Sequence, residues 1–332
     1  MRWCWLWVLG VLVFAARLGA RERFENPVAK HGADPWVIRE GDRYYYCHAG
    51  RGAVWVSSSE SLLKVFSAKP VEVWRPQSGM SWSKGLWAPE LHRIDGAWYI
   101  YVAADDGENA NHRMQVLRRR DDDPCGPFEH VSPLALPGDC WAIDGTALQV
   151  GGQLYHVWSG WEGRENSEQN LYICRMKDPV TPTGPRVLIS RPEYDWELRG
   201  GSPKVNEGPT ALQHGGDTFI VYSASGSWSD HYCLGVLKLV GEDPMAPESW
   251  VKMKDAWFEG SSKVISPGHA SFTVSPDGRE HWIVYHVARH AGAGWDRQIH
   301  IQPFDFNSRH GAPEIRGPVR AGQKIYKPSG EW

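Results

Sequence analysis

The chain has 332 residues, with 19 Trp, 12 Tyr and a formal net charge of −3. Acidic and basic side chains are interspersed, so no basic face is expected and a nucleic-acid partner is excluded. None of the six cysteines stands in a CxxC or Cys/His spacing, which argues against a zinc site.

The chain begins with a short basic end, an apolar run of about 14 residues and small residues near position 20. This pattern predicts a secretory signal peptide over residues 1–20 and a secreted or periplasmic protein. An uncleaved N-terminal anchor is the alternative, because Leu18 is a poor residue near the cleavage point. Cleavage would leave five cysteines, an odd number, so at most two disulfides could form. Cys125 and Cys140 are the most plausible pair.

Five similar hairpins follow in chain order, each with a short apolar strand, a tight turn and a second apolar strand. Their turns contain Gly-Asp, Asp-Gly or Gly-Gly, and a further strand-like run follows each hairpin. Units of about 60 residues with three or four strands are typical of β-propellers. The sequence therefore predicts an all-β protein, a five-bladed β-propeller that forms a single domain over residues 21–332. The hairpins span residues 33–50, 88–104, 143–160, 205–225 and 268–288.

A polar residue stands at the head of each hairpin. Because the first strand of each propeller blade lines the central channel, we expect these five side chains to occupy matching positions and to converge on one axis. A lone Asp or Glu at a strand start is more commonly a turn or cap residue, which is the competing interpretation. The five residues are Asp34, Glu90, Asp144, Glu207 and His269.

Converging carboxylates in an aromatic-rich funnel suit glycoside hydrolysis. That reaction needs one protonated carboxyl group, which donates to the leaving oxygen, and one ionised carboxylate on the other face of the sugar. A third acid raises the pKa of the donor by like-charge repulsion. Trp87 and Trp161 lie near blade starts or loops and are candidate sugar-binding platforms, although a Trp more often fills a core.

Several short motifs in this order resemble glycoside hydrolase family 43, whose members are five-bladed propellers with an inverting mechanism. The motifs are ADPW (33–36), WAPEL (87–91), AIDGT (142–146), NEGP (206–209), GHASF (268–272) and DRQIHIQPF (296–304). The resemblance implies that Asp34 is the general base, that Glu207 is the general acid, and that Asp144 tunes the pKa of the acid and orients it. It also implies that Arg297 pairs with the acids and the sugar. No catalytic role carries over to Glu90, which is expected to be structural.

His269 matches the family histidine on the axis, where many members hold calcium or another ion through water. The resemblance therefore leaves open an axial ion near His269, and no cofactor is required for the chemistry itself. A single protein ligand does not define a metal site.

The runs 187–197, 205–209 and 275–286 look closest to the exo-acting α-L-arabinofuranosidase branch of the family. Inserts at 105–112 and 161–169 could wall off one end of a cleft, which favours an exo enzyme. The expected function is release of L-arabinofuranose from plant cell-wall arabinan or its oligosaccharides, by a monomer that has no membrane contact after signal cleavage.

Other specificities and classes remain as alternatives. Within the same fold, β-xylosidase and endo-arabinanase are open. A non-catalytic carbohydrate-binding propeller would be expected to lack one of the acids, and none is missing. A retaining fructan-hydrolysing propeller would carry an Asn-Asp-Pro-Asn segment where ADPW stands.

Overall fold

The computed structural model describes residues 21–309 and 311–331, so the predicted signal peptide lies outside the described residues. Among the described residues the only α-helix is the four-residue α1, Asp195–Leu198, and two 3-10 turns span Asn109–Asn111 and Pro247–Ser249. No helix in this part of the chain has the length and apolar character needed to cross a membrane. Strands make up the rest of the regular structure, and the prediction of an all-β protein is confirmed.

The strands form five consecutive groups of four between a first and a last strand. Short turns at Gly-Asp, Asp-Gly or Gly-Gly join the first two strands of each group, as the sequence predicts. In chain order the strands are β1 (Arg23–Glu25); β2 (Trp36–Glu40), β3 (Arg43–Gly50), β4 (Ala53–Ser59) and β5 (Val71–Trp74); β6 (Lys84–Ile94), β7 (Ala97–Asp105), β8 (Arg113–Arg119) and β9 (Glu129–Pro133); β10 (Ala142–Val150), β11 (Gln153–Gly160), β12 (Glu168–Asp178) and β13 (Thr181–Ser190); β14 (Lys204–His214), β15 (Asp217–Ala224), β16 (Cys233–Leu239) and β17 (Trp250–Lys252); β18 (Ile265–Val274), β19 (His281–Ala288), β20 (Arg297–Phe306) and β21 (Pro313–Glu314); and β22 (Lys324–Tyr326).

Within each group, consecutive strands pair antiparallel. The first, second and fifth groups are separate four-stranded sheets. The third and fourth groups join into one eight-stranded sheet through a short parallel contact between β12 and β14, at Glu168–Lys204 and Gln169–Val205. Strands β1 and β22 pair antiparallel, so the two ends of the described chain meet.

Over the described residues the hydrophobic core is divided into five clusters, and each cluster lies between two consecutive groups of strands. The first and second groups share one cluster, the second and third another, and so on along the chain. The fifth cluster joins the last group to the first, with Trp282 and Val284 of β19 packed against Tyr44 and Val37. The packing therefore closes on itself. Trp98, Trp158 and Trp282 are among the largest fully buried side chains.

The first strand of four groups carries an extra residue at the same place. Two residues of this strand there oppose one of the second strand, and the first of the two has a positive φ. These residues are Ala88 (φ 42°), Asp144 (φ 55°), Gly208 (φ 55°) and His269 (φ 47°). Asp34, just before β2, has the same left-handed backbone (φ 47°).

The left-handed residue corrects the expectation that the five polar residues occupy matching positions. Asp34, Asp144 and His269 all occupy the left-handed position. Glu207 comes one residue before it, and Glu90 comes two residues after it. An extra residue in a strand changes the direction of the side chains that follow, so equal spacing along the sequence does not give equal position in space.

The proposed Cys125–Cys140 disulfide is wrong, because all five described cysteines are free. Cys125 packs beside the cluster between the first two groups, whereas the Cys140 thiol donates a hydrogen bond to Gly138 O at 3.3 Å. The two thiols thus have different surroundings, and no disulfide joins them.

Candidate active site

A cavity of about 570 Å³ lies where the first strands of the groups meet. It brings together six of the seven site residues that the sequence predicts, and the seventh, Trp161, does not line it. The six are Asp34, Trp87, Asp144, Glu207, His269 and Arg297. A volume of this size is typical of a small-ligand pocket.

Asp34 is surrounded by nitrogen atoms. Its Oδ1 lies 3.2 Å from His269 Nδ1, 3.3 Å from His286 Nδ1 and 3.3 Å from Arg297 Nη1. Burial tends to raise the pKa of Asp34, but the charges of His269 and Arg297 lower it well below its ordinary value. The Asp34 side chain is about one quarter exposed, so water can reach it. Asp34 is an ionised carboxylate at any neutral pH.

Glu207 has the opposite environment. It is almost completely buried, and its Oε1 accepts a 2.8 Å hydrogen bond from the Tyr232 hydroxyl. Burial is the largest cause that raises the pKa of Glu207, and the negative charge of Asp34 adds to it. Hydrogen bonds with Tyr232 and Ser227 and the charge of Arg297 act the other way, and the pKa settles at about 7. Glu207 therefore holds its proton in an appreciable fraction of molecules at neutral pH.

Asp144 is buried beside Glu207. Its Oδ2 accepts a 3.0 Å hydrogen bond from the backbone N–H of Gly208, the residue after the acid. Burial raises the pKa of Asp144 well above its ordinary value, and the charges of Glu207 and Asp34 raise it further. The sequence suggested that Asp144 supplies the like charge that raises the pKa of Glu207. Two ionised carboxylates at these positions would repel each other, and the role of Asp144 in raising the pKa of Glu207 stays a prediction.

Arg297 links the base candidate Asp34 to the loop that carries Ser227. Its Nη1 contacts Asp34, and its Nη2 donates a 2.8 Å hydrogen bond to the carbonyl oxygen of Ser227. Ser227 lines the cavity, and its hydroxyl oxygen accepts a 3.2 Å hydrogen bond from Trp295 Nε1. The buried guanidinium is thus held by the first, fourth and fifth groups of strands together.

The aromatic lining differs in part from the prediction. Trp87 lines the cavity with 40% of its surface exposed and stacks on His112 at a centroid distance of 3.8 Å. Trp161 is buried behind Trp141, against which it stacks at 4.8 Å, and Trp141 is the member of that pair that lines the cavity. A direct sugar contact by Trp161 stays a prediction. Trp295 is 67% exposed at the rim.

Glu90 lies outside the cavity lining. It is buried, its Oε2 lies 2.9 Å from His92 Nε2, and burial raises its pKa well above the ordinary value. A buried carboxyl paired with a mostly buried histidine agrees with the structural role expected for Glu90.

His269 faces Asp34 and packs against Gly208, where a Cβ atom would come within 3.1 Å of the ring. Among the described residues, no group of three or more His, Cys, Asp or Glu side chains is arranged to hold a metal ion. The donor set around His269 therefore does not fit an ion that is bound directly by protein side chains. An ion held through water stays a prediction.

Sequence reasoning missed Tyr232, Ser227 and His286 as parts of the site. Tyr232 and Ser227 lie in the connection between β15 and β16, and such a connection has no periodicity to mark its residues. His286 lies in the middle of β19 and reads as an ordinary strand residue. The only signal was the Gly-Ser-Trp-Ser turn at 226–229, which places small polar residues next to a Trp.

The cavity holds an ionised carboxylate with some access to water and a buried carboxyl group that keeps its proton near neutral pH. Environment, not residue type, separates the two pKa values, and this is the pairing that general acid–base hydrolysis needs. Aromatic faces around the same cavity provide apolar surfaces for a sugar ring.

Known proteins with a similar sequence or structure point to the same chemistry. The chain is 35% identical to an extracellular exo-α-(1→5)-L-arabinofuranosidase of Streptomyces chartreusis, over 80% of this chain and 83% of the relative. It is 33% identical to a protein of the same name from Streptomyces avermitilis, over 90% of this chain but only 64% of that longer relative.

The crystal structure of an α-L-arabinofuranosidase from Lactobacillus brevis superposes with a TM-score of 0.84 at 31% identity, and the match covers 91% of this chain and 98% of that one. Residues 24–310, which include every side chain of the cavity described above, match the family profile described as glycosyl hydrolases family 43. The chain belongs to glycosyl hydrolase family 43.

Proposed function

We propose that the protein is an inverting, exo-acting α-L-arabinofuranosidase that releases L-arabinofuranose from arabinan or arabino-oligosaccharides. The observation that carries the proposal is the pair of carboxyl groups with opposite pKa shifts in one cavity, Asp34 lowered and Glu207 raised to about 7. The names of the relatives support the choice of sugar.

In the proposed reaction Asp34 accepts a proton from a water molecule that attacks the anomeric carbon. Glu207 gives its proton to the glycosidic oxygen as the bond to the leaving sugar breaks. Asp144 orients the acid through the Gly208 N–H, and Arg297 holds Asp34 in place. An inverting site needs room for the water, with catalytic carboxyl groups roughly 6.5–9.5 Å apart.

An exo mode of action is supported by the two predicted inserts. Asn109 from the first insert and Asn166 and Gln169 from the second line the cavity. Side chains from inserts that reach the cavity would close one end of a cleft, so that a single terminal sugar fits. Two relatives are named extracellular, which supports secretion and a plant polysaccharide substrate outside the cell.

The proposed architecture is a five-bladed β-propeller in one domain, with each group of four strands as a blade. Five core clusters, one per pair of consecutive groups and the last joining the fifth group to the first, support a ring of five. The antiparallel pair of β1 and β22 would fasten the ring at its ends. A monomer and a water-held ion near His269 belong to the same proposal.

The test is a substrate panel with aryl α-L-arabinofuranoside, aryl β-D-xyloside, linear arabinan and reduced-end-labelled arabino-oligosaccharides. We expect the highest kcat/KM on the arabinofuranoside and free arabinose as the first product from arabinan. A higher kcat/KM on the xyloside would overturn the sugar assignment. Oligosaccharides released before arabinose would overturn the exo mode.

A further inference from the structure

Tyr232 contacts the buried acid of the site and has no room to move. It immediately precedes β16 and is fully buried, and its hydroxyl donates a 2.8 Å hydrogen bond to Glu207 Oε1. A Cβ atom at Gly268 would lie 2.3 Å from the Tyr232 ring, so the absence of a side chain there makes space for the phenol. The position of this hydroxyl is therefore fixed by the backbone of the next group of strands.

The same ring also packs beside the base. Tyr232 and His286 are nearly parallel, with centroids 5.5 Å apart and an angle of 7° between planes. His286 Nδ1 lies 3.1 Å from the backbone nitrogen of Asp34 and 3.3 Å from its Oδ1. Tyr232 is thus packed between the acid, which it touches directly, and the histidine that contacts the base.

The direction of the hydrogen bond follows from its neighbours. The Ser223 oxygen accepts the backbone N–H of His269 at 2.9 Å, which leaves its own proton for the Tyr232 oxygen. Burial and the charge of Glu207 raise the pKa of Tyr232 well above its ordinary value, so the phenol keeps its proton. That proton points to Glu207.

We propose that Tyr232 is a positioning residue that keeps Glu207 Oε1 as a hydrogen-bond acceptor and so confines the catalytic proton to Oε2. The proposal rests on the proposed function, in which Glu207 is the general acid. A carboxyl group with its proton free to sit on either oxygen would present the wrong oxygen to the glycosidic bond part of the time. Tyr232 removes that choice.

The test is Tyr232→Phe, which keeps the ring and removes the hydroxyl. We expect kcat on arabino-oligosaccharides to fall by roughly 10- to 100-fold with KM within about twofold, since only one part of the general-acid contribution is lost. An aryl arabinofuranoside with a good leaving group should lose much less. The alkaline limb of the pH profile should move upward, because a hydrogen bond that favours ionised Glu207 is gone.

The chain offers a matched control. Tyr222 is also fully buried and donates its hydroxyl proton to a buried glutamate, Glu197 Oε1, at 2.9 Å, but neither residue lines the cavity. Tyr222→Phe should leave the substrate dependence and the pH profile unchanged. Equal effects of the two variants, or a loss by Tyr232→Phe that is the same on both substrates, would overturn the positioning role.

If Tyr232→Phe folds poorly, a second variant tests the positioning role of Tyr232. Replacement of Tyr232 alone by 3-fluorotyrosine keeps the shape and makes the hydroxyl a stronger donor, so the alkaline limb should move downward, opposite to the Phe variant. The ionisation of Glu207 is also measured without substrate, as the carboxyl infrared band that Glu207→Gln removes. If the pH midpoint of Glu207 ionisation does not rise in Tyr232→Phe, the proposal is overturned. This test does not need activity on arabinofuranosides. If the parent hydrolyses no arabinofuranoside, that result by itself refutes only the proposed function.

Discussion

The raised pKa of Glu207 predicts a specific dependence of the rate on pH and on the leaving group. At a pKa of about 7, half of the molecules carry the catalytic proton at pH 7. At the ordinary value of 4.5 only about one molecule in 300 would do so, and the difference corresponds to about 3 kcal/mol. Asp34 stays ionised over the whole range, since its pKa is lowered.

The kcat for an arabino-oligosaccharide should therefore be level below pH 7 and fall about tenfold per pH unit above it, because the protonated fraction of Glu207 falls at that rate. An aryl arabinofuranoside with a nitrophenolate leaving group needs no proton, so its alkaline limb should be much shallower. Steady-state rates on both substrates from pH 5 to pH 9 make the comparison.

Glu207→Gln should remove the dependence of the rate on pH above pH 7. It should also enlarge the difference in rate between the oligosaccharide and the aryl glycoside. On the oligosaccharide we expect a loss on the order of 10²–10⁴-fold at pH 6, and on the aryl glycoside a clearly smaller one. Parallel pH profiles for the two substrates in the parent, or equal losses in the variant, would refute the assignment of Glu207 as the acid.

Other substitutions separate the roles of neighbouring residues. Asp34→Asn should abolish activity on every substrate including the activated one, because no leaving group replaces the base; activity within tenfold of the parent would contradict that role. Gly208→Ala and Gly215→Ala both place a side chain at positive φ and should each lower the free energy of unfolding by about 1–2 kcal/mol, measured by heat or denaturant. Only the side chain added at Gly208 would contact a site residue, because its Cβ atom would lie 3.1 Å from His269 Nδ1. Only Gly208→Ala should therefore lose activity. Trp295→Ala should raise KM for oligosaccharides more than for the aryl glycoside and leave the melting temperature unchanged; an unchanged KM would remove this exposed ring from the binding surface. Proton NMR of early hydrolysis should show the inverted anomer of arabinose, and transfer of the sugar to methanol would instead indicate a covalent intermediate.

Much of the fold was predictable because hairpins have strong local signals. The Asp95-Gly96 and Gly151-Gly152 turns join strands with long buried runs, and all four turn residues have the positive φ angles that Gly and Asp adopt most readily. The site acids were predictable because each opens such a hairpin. These features depend only on neighbours along the chain.

The rest depends on contacts between groups of strands, which the sequence does not display. Trp141 and Trp161 are both plausible platforms by composition, and only the stack between them decides which one faces the cavity. Tyr232 reaches Glu207 because Gly268, in another group, leaves space for its ring. A spacing of residues cannot encode this kind of complementarity.

The bulges explain why acids stand at the starts of strands that enter the core. An extra residue in a strand leaves its backbone N–H outside the regular ladder. At Gly208 that N–H binds Asp144 Oδ2, and at His269 it binds the Ser223 oxygen that adjoins Tyr232. The left-handed Asp34 directs its N–H to His286 Nδ1 in the same way. The irregular backbone thus turns the side chains toward the cavity and also supplies the N–H donors that hold neighbouring side chains. A substitution that restores regular strand pairing at these positions should therefore reduce activity more than it reduces the stability of the fold.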